Sequence, residues 1–199
     1  MKKIILASAS PRRKQILENL GLKFEIVTSN VDETVGTEYS PYEWVKTLSI
    51  GKAEAVKEKV CGDCIIIAAD TIVTDLGRIL NKPIDKDDAI QMLKSLQGKK
   101  HTVYTGVTII FRENGNETTS TFVDGTDVFM RSLTDDEIND YVNTGEPFDK
   151  AGAYAIQGKG SLLIESIDGD YYTVVGLPVY SLQKAFCEHG VNIMNYWKK

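Results

Sequence analysis

Short apolar runs punctuate the first half of the chain, and between them apolar residues recur three and four apart, so strands and helices are predicted to alternate. Residues 3–7, rich in Ile and Leu, read as a buried strand. Ser10 and Pro11 then stand where a helix would begin, a capping residue followed by one whose fixed φ suits the first turn. Ile16, Leu17 and Leu20 form the apolar stripe of that helix, and Gly21 its stop. Residues 24–27 read as a second strand, and 29–39 are polar and irregular. Ser40-Pro41-Tyr42-Glu43 has the spacing of a capping box and predicts a helix to about Val60. The most continuous apolar run, 65–69, predicts a central strand covered on both faces. Asp70 and Thr71 lie in that strand or just past it, and Ile72-Val73 continues its character. Asp75-Leu76-Gly77-Arg78 reads as a turn, and Asp85 to Asp88 open a third helix ending near Gly98.

The second half starts differently. Two long β-like stretches, 101–111 and 117–129, flank Asn114-Gly115, a strong hairpin signal. Thr134-Asp135-Asp136-Glu137 is a second capping box, for a helix to about Asn143. Residues 152–160 are glycine-rich and read as a loop, 162–167 as a strand, and Asp168-Gly169-Asp170 as a turn. Pro178 starts a last helix, ending at His189-Gly190. No repeat, low-complexity tract or linker interrupts this order, which predicts an α/β protein around a mixed sheet, a single domain over 1–199.

Composition narrows the class. With 199 residues, 42% hydrophobic and 26% charged, the chain has the balance of a soluble globular protein with a substantial core. No run approaches the about 20 apolar residues of a membrane helix. The basic, apolar opening imitates a signal peptide but breaks off at Ser8 and runs into Pro11-Arg12-Arg13-Lys14, so a cytoplasmic protein is expected. Three cysteines fit a reducing compartment. The net charge is −5, yet the first 17 residues carry five Lys and Arg and no acid, leaving −10 on the remainder. That balance argues against nucleic-acid binding by the chain as a whole and marks the opening segment as a local basic site.

Four groups of residues offer chemistry. Ser8, Ser10, Arg12, Arg13 and Lys14 surround a helix start, where free N–H groups, the helix dipole and guanidinium forks favour phosphate; an ordinary capped helix with solvated basic residues fits as well. No P-loop motif occurs. Asp70, directly after the central apolar run, is predicted at the strand end where α/β sheets bind ligands, or else capping a turn. Glu33 and Asp32, after the second strand, are candidates to meet Asp70, and two carboxylates suffice for Mg²⁺. Lys52 and Lys82, taken alone, read as surface lysines. Cys61-Gly62-Asp63-Cys64 lies where a helix gives way to a strand, the wrong setting for a redox motif, and a zinc site would need Cys187 and His189 alongside. His101 opens a strand and reads as structural, and with only two histidines in the chain a catalytic triad is unattractive. The segment from Glu146 to Gly158 either forms a tight structural loop or lets backbone approach a ligand, with Gln157 offering the donor and acceptor that reading a base edge requires.

Several of these motifs, in this order, resemble the Maf family of nucleotide pyrophosphatases over essentially the whole chain. The resemblance lies in Leu6-Ala7-Ser8-Ala9-Ser10-Pro11-Arg12-Arg13, Ala69-Asp70-Thr71, Asn81-Lys82-Pro83, Thr105-Gly106-Val107, Asp149-Lys150-Ala151-Gly152-Ala153-Tyr154 with Gln157-Gly158, and Gly176-Leu177-Pro178. It implies an elongated mixed sheet flanked by helices, like that of the inosine-triphosphate pyrophosphatases, with two lobes around a cleft and no separable linker. It also implies hydrolysis of nucleoside triphosphates to monophosphate and pyrophosphate with Mg²⁺ or Mn²⁺, a possible homodimer, nucleotide-pool house-cleaning and a link to septum formation. By the same resemblance Asp70 is the catalytic proton acceptor, Glu33 and Asp70 are metal residues, and Ser8, Arg13, Lys52 and Lys82 line the triphosphate site. Arg12, Thr71 and Gln157 match the trio of the branch that prefers dTTP and UTP. The alternatives are the same reaction on another base, such as a methylated purine, or a non-catalytic nucleotide-binding regulator of septum formation.

Overall fold

The computed structural model describes residues 2–29, 31 and 39–197. In chain order its elements are β1 (Lys3–Leu6), α1 (Pro11–Asn19), β2 (Phe24–Ile26), α2 (Pro41–Lys57), β3 (Cys64–Asp75), β4 (Arg78–Leu80) and α3 (Lys86–Leu96). β5 (Lys100–Glu113), β6 (Asn116–Met130) and α4 (Asp135–Asn143) follow, then three short 3-10 turns, β7 (Ile164–Asp168), α5 (Tyr171–Val175) and α6 (Val179–Glu188). Seven strands form one mixed sheet in the order β2-β1-β3-β5-β6-β7, with β4 paired to β3, so the α/β architecture is as expected. β1 runs parallel to both β2 and β3, while β3 with β4 and β6 with β7 are antiparallel. No helix among the described residues is long and apolar enough to cross a membrane.

The chain divides into two compact units: Met1–Asp70 with Thr105–Asp124 and Gly176–Lys199, and Thr71–Tyr104 with Gly125–Val175. In the first, Ile4, Ile5 and Leu6 of β1 and Ile65, Ile66 and Ile67 of β3 are all fully buried, so both faces of these strands are covered. Each such side chain contributes about 1.5–3 kcal/mol. One face packs on α2, where Ile5, Ala7, Ile66, Ala68 and Ile110 meet Ala53 and Val56. The approach is close: a Cβ on Gly106 of β5 would lie 2.4 Å from the Val45 carbonyl oxygen of α2. The second unit has its own core, in which Leu93 and Leu96 of α3 and Ile138 and Val142 of α4 meet Val103 and Val128 of the sheet.

Local signals explain most boundaries. Both capping boxes form, at Ser40 with Glu43 and at Thr134 with Glu137, and Asp85 caps α3 by accepting from the Asp88 N–H. Asn114 and Gly115 turn the β5–β6 hairpin with positive φ. Other expectations need correction. Ser10 stands at the α1 cap position without a side-chain cap bond; its own N–H donates to Ser8 Oγ at 3.2 Å instead. α2 stops at Lys57 rather than near Val60, because the Arg112 guanidinium takes the carbonyls of Lys57 and Val60 at 3.2 and 2.7 Å. Residues 152–160 are largely 3-10 turns rather than open loop, and α5 was not foreseen. Finally, Asp70 does not end its strand: β3 continues to Asp75, since Thr71-Ile72-Val73-Thr74 is β-branched throughout and Val73 and Thr74 pair with β4.

Candidate active site

Charged side chains are seldom buried, because desolvation is expensive unless a partner compensates. Among the described residues the only buried carboxylate, ammonium and guanidinium groups are Asp70, Lys52 and Arg13. Arg13 and Lys52 are each 9% exposed, as is Ser8, and Asp70 is 8% exposed. All four belong to the first unit, and local structure explains how each is delivered there.

The parallel β1–β3 ladder ends where Leu6 pairs with Ile67 and the Ala7 N–H donates to the Ile67 carbonyl at 2.8 Å. Ser8 lies two residues beyond that last pair after β1, and Asp70 three residues beyond it on β3. Although mid-strand, Asp70 therefore lies past the carboxyl end of this parallel pair, the position where such sheets bind ligands. Alternation along β3 puts Asp70 on the face of Ile66 and Ala68, toward α2. Lys52 reaches it from that helix, its Nζ 2.6 Å from Asp70 Oδ1. Thr71 takes the opposite face by the same alternation. The buried positions of α2, Val45, Leu48, Ser49, Lys52, Ala53 and Val56, recur three and four apart. One turn before Lys52, Ser49 Oγ lies 2.9 Å from Thr108 Oγ1 of β5, which pins the helix in register.

Arg13 is held from two sides. Its Nη1 donates to Ser8 Oγ at 3.0 Å and its Nε to the Gly176 carbonyl at 2.8 Å. Ser8 Oγ thus accepts from both Ser10 N–H and Arg13, which shapes the turn from β1 into α1 around a positive group. Arg12, the preceding residue on α1, is half-buried.

Of the other residues expected at the nucleotide site, Thr71, Lys82 and Gln157 lie in the second unit, and Glu33 and Asp32 fall outside the described residues. Lys82 and Gln157 are exposed and Thr71 is half-buried. The carbonyl of Asn81, beside Lys82, accepts from the Gly152 N–H at 3.1 Å, tying the Asn81-Lys82-Pro83 segment to the 3-10 turn Ala151–Ala153. His101 is structural: it is 3% exposed, its Nε2 is 2.7 Å from the Tyr154 hydroxyl, and its Nδ1 has no partner. Burial pushes its pKa down to about 4 and that of Tyr154 up, so both are neutral at pH 7. All three cysteines are free thiols, and no cluster of three His, Cys, Asp or Glu suited to a metal occurs among the described residues. An oxygen-ligated ion held by one or two carboxylates and substrate phosphates needs no such cluster, and the Asp70 carboxylate fits that donor set.

Reasoning along the chain missed two features. The Gly176 carbonyl anchors Arg13 from 163 residues away, so no local pattern connects them. Glu146, at the start of the segment to Gly158, has no role that the sequence pattern assigns. Burial pushes its carboxyl up, but N–H donors from Gly160 and Lys159, the Tyr141 hydroxyl and Lys150 outweigh that and hold it below the usual carboxylate value.

A family profile described as Maf-like protein matches residues 3–189. The chain belongs to the Maf family. Among Maf relatives, a dTTP/UTP pyrophosphatase of Bacillus cereus is 50% identical over 193 residues, 97% of this chain and 98% of its own. A dTTP/UTP pyrophosphatase of a Thermoanaerobacter species is 51% identical over 180 residues, 90% of this chain and 93% of its own. Among solved structures, the Ham1 protein of Staphylococcus aureus matches 95% of this Maf chain and all of its own at 16% identity, with a TM-score of 0.46.

Proposed function

We propose that this Maf protein hydrolyses dTTP, UTP and modified pyrimidine nucleoside triphosphates to the monophosphate and pyrophosphate, clearing such nucleotides from the cytoplasmic pool. Its relatives named dTTP/UTP pyrophosphatase support the substrate class. The observation that carries the chemistry is the burial of Arg13, Lys52 and Asp70 past the carboxyl end of the β1–β3 ladder. Three charges are kept there at the expense of their solvation, the arrangement a site for anionic phosphates and a proton-accepting carboxylate needs.

In this reading Asp70 orients a water molecule and accepts its proton as the oxygen attacks the α-phosphorus. The bond from that phosphorus to the oxygen bridging toward the β-phosphate breaks, and pyrophosphate leaves. Lys52 fixes the Asp70 carboxylate, and its ammonium and the Arg13 guanidinium stabilise charge gathering on the phosphates. Ser8 aims Arg13, and Lys82 adds a cation for the leaving pyrophosphate. Asp70, with Glu33, would hold a divalent ion, Mg²⁺ or Mn²⁺, which when bound supplies charge neutralisation and Lewis acidity. Arg12, Thr71 and Gln157 select the base, Gln157 pairing its amide with the O4 and N3–H edge of thymine or uracil. A base with the wrong edge would leave such groups unpaired.

The test is pyrophosphate release across the eight common nucleoside triphosphates and several base-modified ones, with Mg²⁺, with Mn²⁺ and with chelator. Release from dTTP and UTP that chelator and Asp70→Asn each abolish is the expected result. Full activity of Asp70→Asn would overturn the assignment of Asp70, and release from purines alone would overturn the pyrimidine reading.

A further inference from the structure

The segment that carries Gln157 is wound around one carboxylate. Glu146 opens the 3-10 turn Glu146–Asp149. Its Oε1 accepts from the Tyr141 hydroxyl and from the Gly160 N–H, both at 2.9 Å, and its Oε2 accepts from the Lys159 N–H at 3.1 Å. The Tyr141 hydroxyl in turn accepts from the Ala155 N–H at 3.3 Å. The backbone two residues before Gln157 and two residues after it is therefore tied to the same Glu–Tyr pair. Bonds to an ionised acceptor are stronger than neutral ones, and Tyr141 comes from the core of the second unit.

Steric limits close the remaining freedom. A Cβ on Gly160 would lie 2.3 Å from the Ala155 carbonyl oxygen and 2.7 Å from the Tyr141 hydroxyl. Gly158, at φ +67°, would bring a Cβ within 2.8 Å of Glu146 Oε2. Gly158 thus packs against the carboxylate and Gly160 against the Ala155 carbonyl and the Tyr141 hydroxyl, while the Gln157 side chain, exposed at the crest, makes no cap bond to the turn that follows it. A crest residue on a rigid base presents its amide at a defined place, whereas on a loose loop it would lose entropy on contacting a ligand.

We infer that Glu146, through Tyr141 and the N–H groups of Lys159 and Gly160, is a positioning residue for base selection. It holds the backbone from Ala155 to Gly160 so that Gln157 offers donor and acceptor in one orientation. The inference rests on the proposed role of Gln157 as the group that reads the base.

The experiment compares the intact wild-type chain with Tyr141→Phe, Glu146→Gln and Gln157→Ala, and with each clamp variant combined with Gln157→Ala. Pyrophosphate release is followed with dTTP, UTP, dCTP and GTP, with thermal unfolding recorded for every variant. Tyr141→Phe keeps the ring in the core and removes only the hydroxyl, so it serves if Glu146→Gln does not fold. The expected result is a fall of about tenfold in the dTTP-to-dCTP ratio of kcat/KM, arising mainly in KM for dTTP. In the Gln157→Ala background the clamp variants should shift that ratio no further. Loss by one common factor for all four nucleotides would mark Glu146 as a structural anchor and overturn the inference. If Gln157→Ala shifts the ratio and folded clamp variants do not, the inference fails while the role of Gln157 stands. If Gln157→Ala itself leaves the ratio unchanged, that role fails and the inference with it.

Discussion

Replacing Gly106 with Ala tests whether the closeness of α2 to the sheet sets the geometry of Lys52 and Asp70. The added Cβ would sit 2.4 Å from the Val45 carbonyl oxygen, 2.6 Å from the Val45 carbonyl carbon and 3.0 Å from the Lys46 nitrogen. These are backbone atoms inside a helix and have no rotamer to change. Relief to van der Waals distance needs a shift of about 1 Å, and overpacking of this kind costs about 1–3 kcal/mol. For a chain of this size that lowers Tm by about 3–10 °C. Lys52 lies two turns from Val45 on the same face, so a helix displaced by about 1 Å stretches the 2.6 Å contact with Asp70 beyond hydrogen-bond range. Misplacement on that scale costs about 10²-fold in rate. Ser49→Ala is the companion variant: it removes the bond to Thr108 at about 1 kcal/mol without forcing the helix outward, and its rate should stay near that of the parent. Differential scanning calorimetry and pyrophosphate release from dTTP give the two readouts. A Gly106→Ala protein with parental Tm and parental rate would refute the argument, and one with lowered Tm but parental rate would separate the packing from the site.

Two further outcomes follow from buried charge. Lys52→Met leaves the Asp70 carboxylate buried without its ammonium and should destabilise the protein by about 3–5 kcal/mol in urea unfolding. Lys52→Met combined with Asp70→Asn should recover part of that loss, and a double variant as unstable as the single one would show the pair to be unimportant. His101 titrates near 4 in the folded protein against 6.5 for an unperturbed histidine, so between these values the unfolded chain binds more protons. Its contribution to stability is complete above pH 6.5 and is lost as pH falls to 4, by about 3 kcal/mol in all. His101→Leu, which strands the Tyr154 hydroxyl, should therefore be less stable than wild type at pH 7, with the gap narrowing as pH falls toward 4. A gap that is constant with pH would sink the assignment.

Much of this architecture is local and so could be read from the chain itself. Ser40 with Glu43 and Thr134 with Glu137 make capping boxes within four residues, and Asn114-Gly115 sets a two-residue turn, because each depends only on neighbours. The isoleucines of residues 65–67 read as a strand buried on both faces because the run is short, continuous and β-branched. Ser8, Arg13 and Asp70 were legible from ordered motifs and Lys52 only through the family resemblance, but the relation among the four was not. Whether a lysine on a helix lies at the surface or 2.6 Å from a buried carboxylate depends on how closely that helix packs, which Gly106 permits from a strand more than fifty residues away. The same limit hid the Gly176 carbonyl that anchors Arg13 and the Glu146–Tyr141 clamp beneath Gln157. It also left open whether Asp70 lies within its strand or at its end, because the pairing of β4 that extends β3 is a contact between segments. Local chemistry selects elements through short-range sterics and capping bonds. Which charges lose their water, and what compensates them, was decided only when distant segments packed together.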